Sequence, residues 1–244
     1  MGSLDHWEGF NNILNLICTQ LKCTWIKPEK VILLGVGNAM GWLTFAPVPT
    51  ATVLYFGITT NQVDLFSMIY MGVGLPAGFF AIWICDGIGF RKASWITIAF
   101  YIVGASLRVG SVAFIGYDEN KDFIPCEKCF PFALIGTALM GISQAFVGVL
   151  PTLMASRWFE DKERLLANSL ASLSICIGLM LASIAAPLIT KGPEDLLRES
   201  IWFTVPVLAA IPIAFFVPSD GILPFPKTIP FFDRLRYLNL LFYD

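Results

Sequence analysis

Six long apolar stretches run along the chain: Val31–Leu54, Leu65–Cys85, Ala93–Ile115, Phe130–Ala155, Leu165–Thr190 and Ile201–Val217. A helix needs about 20 mostly apolar residues to cross about 30 Å of hydrocarbon. These stretches have that length and almost no ionised residues. They do not alternate with period two, so they predict helices and not barrel strands. Gly and Pro inside them are compatible with membrane helices, where they mark close packing or kinks. Ahead of the first stretch, Trp7, Phe10, Leu14, Ile17 and Leu21 recur every three or four residues and draw one apolar stripe. That helix either lies flat on a membrane surface or packs against the bundle, or the segment is partly disordered. Asp5 and Glu8 weaken the surface-helix reading. The tail from Pro218 to Asp244 is Pro-rich and then mixed apolar and basic, too short and too charged to span again.

The pattern therefore divides the chain into a segment 1–30 with an amphipathic stretch, a six-helix bundle 31–217 and a tail 218–244. Composition narrows the class further. The chain is 56% hydrophobic and 14% charged, with a mean hydropathy of +0.71. A soluble domain carries about 25% charged residues. The net charge of −2 provides no basic footprint for a phosphate backbone, so nucleic acid is not an expected partner. The lipid bilayer is. Residues 1–10 lack the basic start of a secretory signal, so the first span is expected to act as an uncleaved one.

Lys and Arg placement gives an expected orientation. One side would hold Lys22, Lys27, Lys30, Arg91, Lys92, Arg157, Lys162, Arg164, Lys227, Arg234 and Arg236. The other would hold Lys121, Lys128, Lys191 and Arg198. The richer side should be cytosolic, which puts both termini in the cytosol.

The chemistry-bearing residues are few. There is no nucleophile elbow, no phosphate-cradling loop and no metal-spaced histidine pair, so neither an enzyme, a metal nor a cofactor is expected. His6 is the only histidine and lies outside the spans. Asp64 and Asp86 sit at span ends. Spans without an acid favour uniport or exchange over proton coupling. Cys126 and Cys129 form one Cys-x-x-Cys, read as a plain loop pair with a local disulfide as the alternative. Cys85 and Cys176 read as small buried hydrophobes.

Four features in the spans and turns stand out. In Asp86-Gly87-Ile88-Gly89-Phe90-Arg91-Lys92 a very short link makes spans two and three antiparallel neighbours. Asp86 can accept hydrogen bonds from the free N–H groups of the next helix and pair with a basic group. It is either a charged turn or a gate latch. Asn38 and Trp42 share one face of span one, where an aromatic surface beside an amide suits an ammonium group. Packing is the other reading for Trp42. Gln144, in span four, is either interhelical glue or a solute contact. Arg108, in span three, either snorkels to the membrane surface or has a function inside. Gly37-x-x-x-Gly41 and Gly74-x-x-x-Gly78 should let helices approach closely. Pro76, Pro151 and Pro187 are candidate kinks.

The Asp-x-x-Gly-x-Arg-Lys pattern of residues 86–92, on this turn and this side, resembles a signature of the major facilitator superfamily. The stretches Asn38–Val48, Asp64–Met71, Ala81–Asp86, Gln144–Pro151, Ser156–Glu163 and Lys191–Leu196 resemble the solute carrier 49 family. That family contains the feline leukaemia virus subgroup C receptor-related transporters, and the resemblance covers about residues 28–240. It implies an all-α membrane protein, the N-terminal half of a twelve-span fold built as a 3+3 inverted repeat. It also implies facilitated transport of a small organic solute, linked in the family to choline, ethanolamine and, historically, haem. Asn38, Trp42 and Gln144 match positions that cage the quaternary ammonium in choline-transporting relatives; the second cage aromatic, from span seven, has no counterpart here. The plasma membrane is the family default. Homodimerisation, pairing with a second six-helix half, or a non-transporting partner of full-length relatives are the expected associations.

Overall fold

The computed structural model describes residues 29–113, 116–117, 123–158 and 161–216. The expectations for the amphipathic segment, His6 and the tail lie outside these residues. The described helices are α1 (residues 29–42), then α2 (Pro49–Phe56), α3 (Thr60–Ile88), α4 (Phe90–Ser111), α5 (Phe130–Trp158), α6 (Asp161–Ile189) and α7 (Leu196–Phe216). Between α4 and α5 two short strands, β1 (Gly116–Tyr117) and β2 (Phe123–Ile124), pair antiparallel. Helices α3 to α7 are each long and apolar enough to cross a bilayer.

The first predicted span is not one rod. Residues 43–48 leave the helix between α1 and α2. Pro47 and Pro49 explain the break, since neither has an N–H for the ladder and each biases the residue before it away from α geometry. Pro76, Pro151, Pro187, Pro206 and Pro212, by contrast, all lie inside continuous helices. The hydropathy also starts the last span too late. Its helix begins at Leu196, preceded by a 3₁₀ turn at Pro193–Asp195, and so takes in residues expected in a loop.

Packing is small inside and large outside. Ala39, Ala81, Ala93, Ala105, Ala171 and Ala210 are buried, whereas Leu75, Phe79 and Phe80 on α3 and Leu165, Leu170 and Leu188 on α6 are exposed. A bilayer provides no hydrophobic drive between helices, so close backbone approach holds them together. A Cβ on Gly104 would fall 2.6 Å from the Gly136 carbonyl oxygen, and one on Gly136 equally close to that of Gly104. This reciprocal contact brings α4 and α5 together. A Cβ on Gly141 would meet the Tyr70 carbonyl oxygen at 2.5 Å, which sets the α3–α5 crossing. Gly37 and Gly41 behave as expected, pressed on Val207 of α7 and on Met140 and Tyr101. The second expected motif does not. Gly78 faces open space and Gly74 has only an ordinary 3.4 Å approach to the Gly141 oxygen. The small residue that α3 packs against is on α5.

Through these contacts α1 becomes the central element. Gly35 meets Ser174 of α6, and Gly178 of α6 meets Val36. The buried side chains form two apolar clusters. One, around Leu34, Cys85, Phe90, Leu150 and Met154, fills the end carrying the α3–α4 turn. The other, around Phe45, Tyr55, Phe56, Phe66 and Cys129, fills the opposite end, which carries the longer loops.

Candidate functional site

Asn38 is buried on α1, one helical turn before Trp42. Its Nδ2 donates to Ser143 Oγ of α5 at 2.8 Å. Its Oδ1 accepts from the Tyr70 hydroxyl of α3. The same hydroxyl lies 3.4 Å from Gln144 Oε1 and 3.3 Å from the Asn38 carbonyl oxygen. Ser143 Oγ in turn donates to the Thr97 carbonyl of α4 at 3.0 Å. Polar groups in hydrocarbon must find partners, and here four helices provide them.

Tyr70 also stacks on Trp42, with ring centroids 5.6 Å apart and planes 5° from parallel. The structure therefore gathers Asn38, Trp42 and Gln144 around a residue that the pattern reading did not single out. An apolar span with one tyrosine reads as an aromatic among aromatics; a mid-span hydroxyl that needs an acceptor is the signal that could have flagged it. Trp42 and Gln144 keep part of their surface exposed. Trp42 Nε1 is buried and has no hydrogen-bond partner among the described residues. The cluster is thus an aromatic surface, two amides and an unused donor, a neutral set able to hold a small cation by cation–π attraction.

Arg108 does not snorkel. Its residue is 3% exposed, and its Nη1 donates to the Gly41 carbonyl at 2.5 Å. The guanidinium lies over the Phe45 ring at 4.5 Å. A void of about 10 Å³ beside it is lined by Gly41, Thr44, Tyr101, Arg108, Ser200 and Thr204. That is room for about one water. Glu199, just ahead of the last predicted span, is fully buried in the first turn of α7 and accepts from the Thr190 hydroxyl.

The turn motif stands apart from this cluster. Asp86 is exposed in the last turn of α3, and Arg91 and Lys92 open α4. Among the described residues, Asp86 accepts no hydrogen bond from the free N–H groups of α4 and makes no ion pair. Gly89 alone joins the two helices, at φ 82° and ψ 169°, a conformation open essentially only to glycine. An acid at a helix C-terminus and two bases at an N-terminus both oppose the helix dipole. Local helix energetics therefore do not account for these charges. Nearby, Lys30 is fully buried with its ammonium 5.4 Å from the Phe90 ring centre. Burial, and then the charge of Arg91, pulls its pKa down to about 8.

At the loop end Cys126 and Cys129 are joined in a disulfide, their Cα atoms 5.4 Å apart. The plain-pair reading is corrected: a 3₁₀ turn at Glu127–Cys129 brings the two Cα atoms within bridging range. Cys126 N–H donates to the Tyr55 carbonyl at 2.9 Å, tying this turn to the end of α2. Cys85 is buried as expected, whereas Cys176 is exposed on α6.

A broken first helix, a polar cluster shared by four helices and a one-glycine charged turn accompany a family match over most of the chain. The model of the Major Facilitator Superfamily matches residues 31–230. The chain belongs to this superfamily of membrane transporters. Uncharacterized protein B0416.5 of Caenorhabditis elegans is 33% identical over 195 residues, covering 80% of this chain and 36% of that protein. Solute carrier family 49 member A3 of Xenopus tropicalis is 30% identical over 194 residues, covering 79% of this chain and 39% of that protein. Choline/ethanolamine transporter FLVCR1 of Felis catus is 26% identical over 167 residues, covering 67% of this chain and 28% of that protein. The chain spans less than half the length of these superfamily relatives.

Proposed function

We propose that the chain takes part in facilitated transport of a small organic cation of the choline or ethanolamine kind, with the solute held at Trp42, Asn38 and Gln144. The observation that carries this reading is the Trp42–Tyr70 stack, whose tyrosine hydroxyl donates to Asn38 Oδ1 and lies 3.4 Å from Gln144 Oε1. The aromatic face attracts an ammonium group without burying a second charge. The FLVCR1 relative is named a choline/ethanolamine transporter, the same solute class. Haem, the other solute linked to the family, has carboxylates that this neutral cluster does not pair. The two broken pieces of span one fit this role, since interrupted helices line solute sites in carriers. Asp86, Gly89, Arg91 and Lys92 are assigned to a latch that forms in one facing of the carrier and opens in the other.

Alternating access needs two halves rocking about a midplane site. Six spans therefore work either as a homodimer or beside a second six-helix half. We place both termini in the cytosol and the protein in the plasma membrane. The exposed apolar faces of α3 and α6 also favour a second reading, a non-transporting partner that docks on a full-length relative. Native mass spectrometry of the 26.9 kDa chain in mild detergent, with and without choline, separates the two. A dimer that retains the choline mass, and loses it in Trp42→Ala, is the expected result. A monomer without choline overturns the autonomous carrier.

A further inference from the structure

Arg108 is a buried cation that makes no ion pair among the described residues. Dipoles meet its charge instead. Nη1 donates to the Gly41 carbonyl at 2.5 Å and to the Met140 sulfur at 3.3 Å. The Phe45 ring face lies 4.5 Å from the guanidinium carbon. A guanidinium carries five N–H donors in a fixed fork. These contacts use Nη1 and leave the donors on Nε and Nη2 for other partners.

Ser200 reaches the same place from α7. The residue is 6% exposed, and its Oγ is buried with no hydrogen-bond partner among the described residues. A serine inside a helix ordinarily turns to solvent or donates to the carbonyl four residues back. Ser200 does neither, and a stranded buried hydroxyl is costly. Arg108, Ser200, Thr44 and Tyr101 all line the void of about 10 Å³, the room of about one water. Its wall carries both donors and acceptors. Arg108 supplies N–H groups. The Thr44 hydroxyl donates to the Gly41 carbonyl, and the Tyr101 hydroxyl to the carbonyls of Gly37 and Phe203. Both oxygens therefore face the void as acceptors, and Ser200 Oγ can give or take. A buried water needs two to four such partners.

We propose that this void is a binding site for one resident water molecule, which accepts from the Arg108 guanidinium and donates to Ser200 Oγ. The water joins α4 to α7 beside the broken end of α1. It completes the solvation of a charge that no acid neutralises, and it gives Ser200 the partner that the protein does not. A metal or ammonium ion is excluded from the site, because the guanidinium repels it. The proposal is independent of the transport reading.

Crystals of the purified full chain grown in a lipidic phase, at a resolution that shows ordered waters, give the first readout. One peak within hydrogen-bond distance of Ser200 Oγ and of an Arg108 nitrogen is expected. A site without density overturns the proposal. So does an anomalous signal at that peak after a bromide soak, which makes the occupant a halide. The unfolding temperature in mild detergent is the second readout. Ser200→Ala is expected to lower it by about 2–4 °C, because the bridge is lost. A hydroxyl with no partner gives the opposite sign, since its removal relieves a buried unsatisfied group. An unchanged or raised unfolding temperature therefore overturns the water. In an Arg108→Met background the Ser200→Ala loss should shrink to less than half. An equal loss in both backgrounds marks a bond from Ser200 to its own helix and overturns the bridge. The density and the sign of the Ser200→Ala shift decide the question even where Arg108→Met does not fold.

Discussion

Tyr70→Phe is the most informative single change, because it removes one hydroxyl and leaves the ring that stacks on Trp42. The lost group is the donor to Asn38 Oδ1 and lies within 3.4 Å of Gln144 Oε1. A net hydrogen bond is worth about 1 kcal/mol, and a stranded buried acceptor adds about 1–3 kcal/mol. Measured interhelical bonds in membrane proteins average about 0.6 kcal/mol, with a maximum near 1.7. Because the Asn38 amide keeps its Ser143 bond at 2.8 Å, the lower part of the combined range applies. The expected loss is about 1–2 kcal/mol of unfolding free energy. Tyr70→Leu should lose about 0.5–1.5 kcal/mol more, the contribution of the ring pair. Unfolding by denaturing detergent in mixed micelles measures both. A double-mutant cycle with Asn38→Ala should return a coupling of about 0.6–2 kcal/mol. Additive losses within about 0.3 kcal/mol would refute the shared network, as would a Tyr70→Phe protein as stable as wild type.

Gly141→Ala places a Cβ 2.5 Å from the Tyr70 carbonyl oxygen, backbone that cannot step aside, and should cost about 3 kcal/mol or more in the same assay. Gly78→Ala meets nothing within 4 Å and should be neutral or slightly stabilising; equal losses at the two positions would contradict the assigned crossing. Gly89→Ala forces alanine to φ 82° and should cost about 1–3 kcal/mol, read as a lowered unfolding temperature. Lys30 titrates at about 8 in the folded chain against an ordinary 10.5. The unfolded chain therefore binds more protons between those values, and stability should rise as pH climbs from about 8 to 10.5, by on the order of 3 kcal/mol. A Lys30→Met chain with the same alkaline gain as wild type would exclude Lys30 as its source.

The length and polarity of the apolar runs were enough to place five spans to within a few residues, because the cost of an ionised group in hydrocarbon writes itself directly into the sequence. Asn38 and Trp42 were legible as a face-sharing pair because helical spacing alone puts them one turn apart. Their meeting with Gln144 through Tyr70 was not, since a contact between α1, α3 and α5 depends on how deeply helices approach. That depth is set by Gly141 and not by the glycine pair visible on α3. Glu199 was hidden for the same kind of reason. Next to Arg198 and a short acidic run it looks like a loop residue, and only the fold at the start of α7 buries it against the Thr190 hydroxyl. Which segments suit the membrane can be read from the residues alone, because that is a transfer free energy summed residue by residue, and the prolines at 47 and 49 mark the break in span one in the same local way. Which carbonyl Arg108 reaches and which polar groups meet follow from packing, because each of these depends on two helices being present at once.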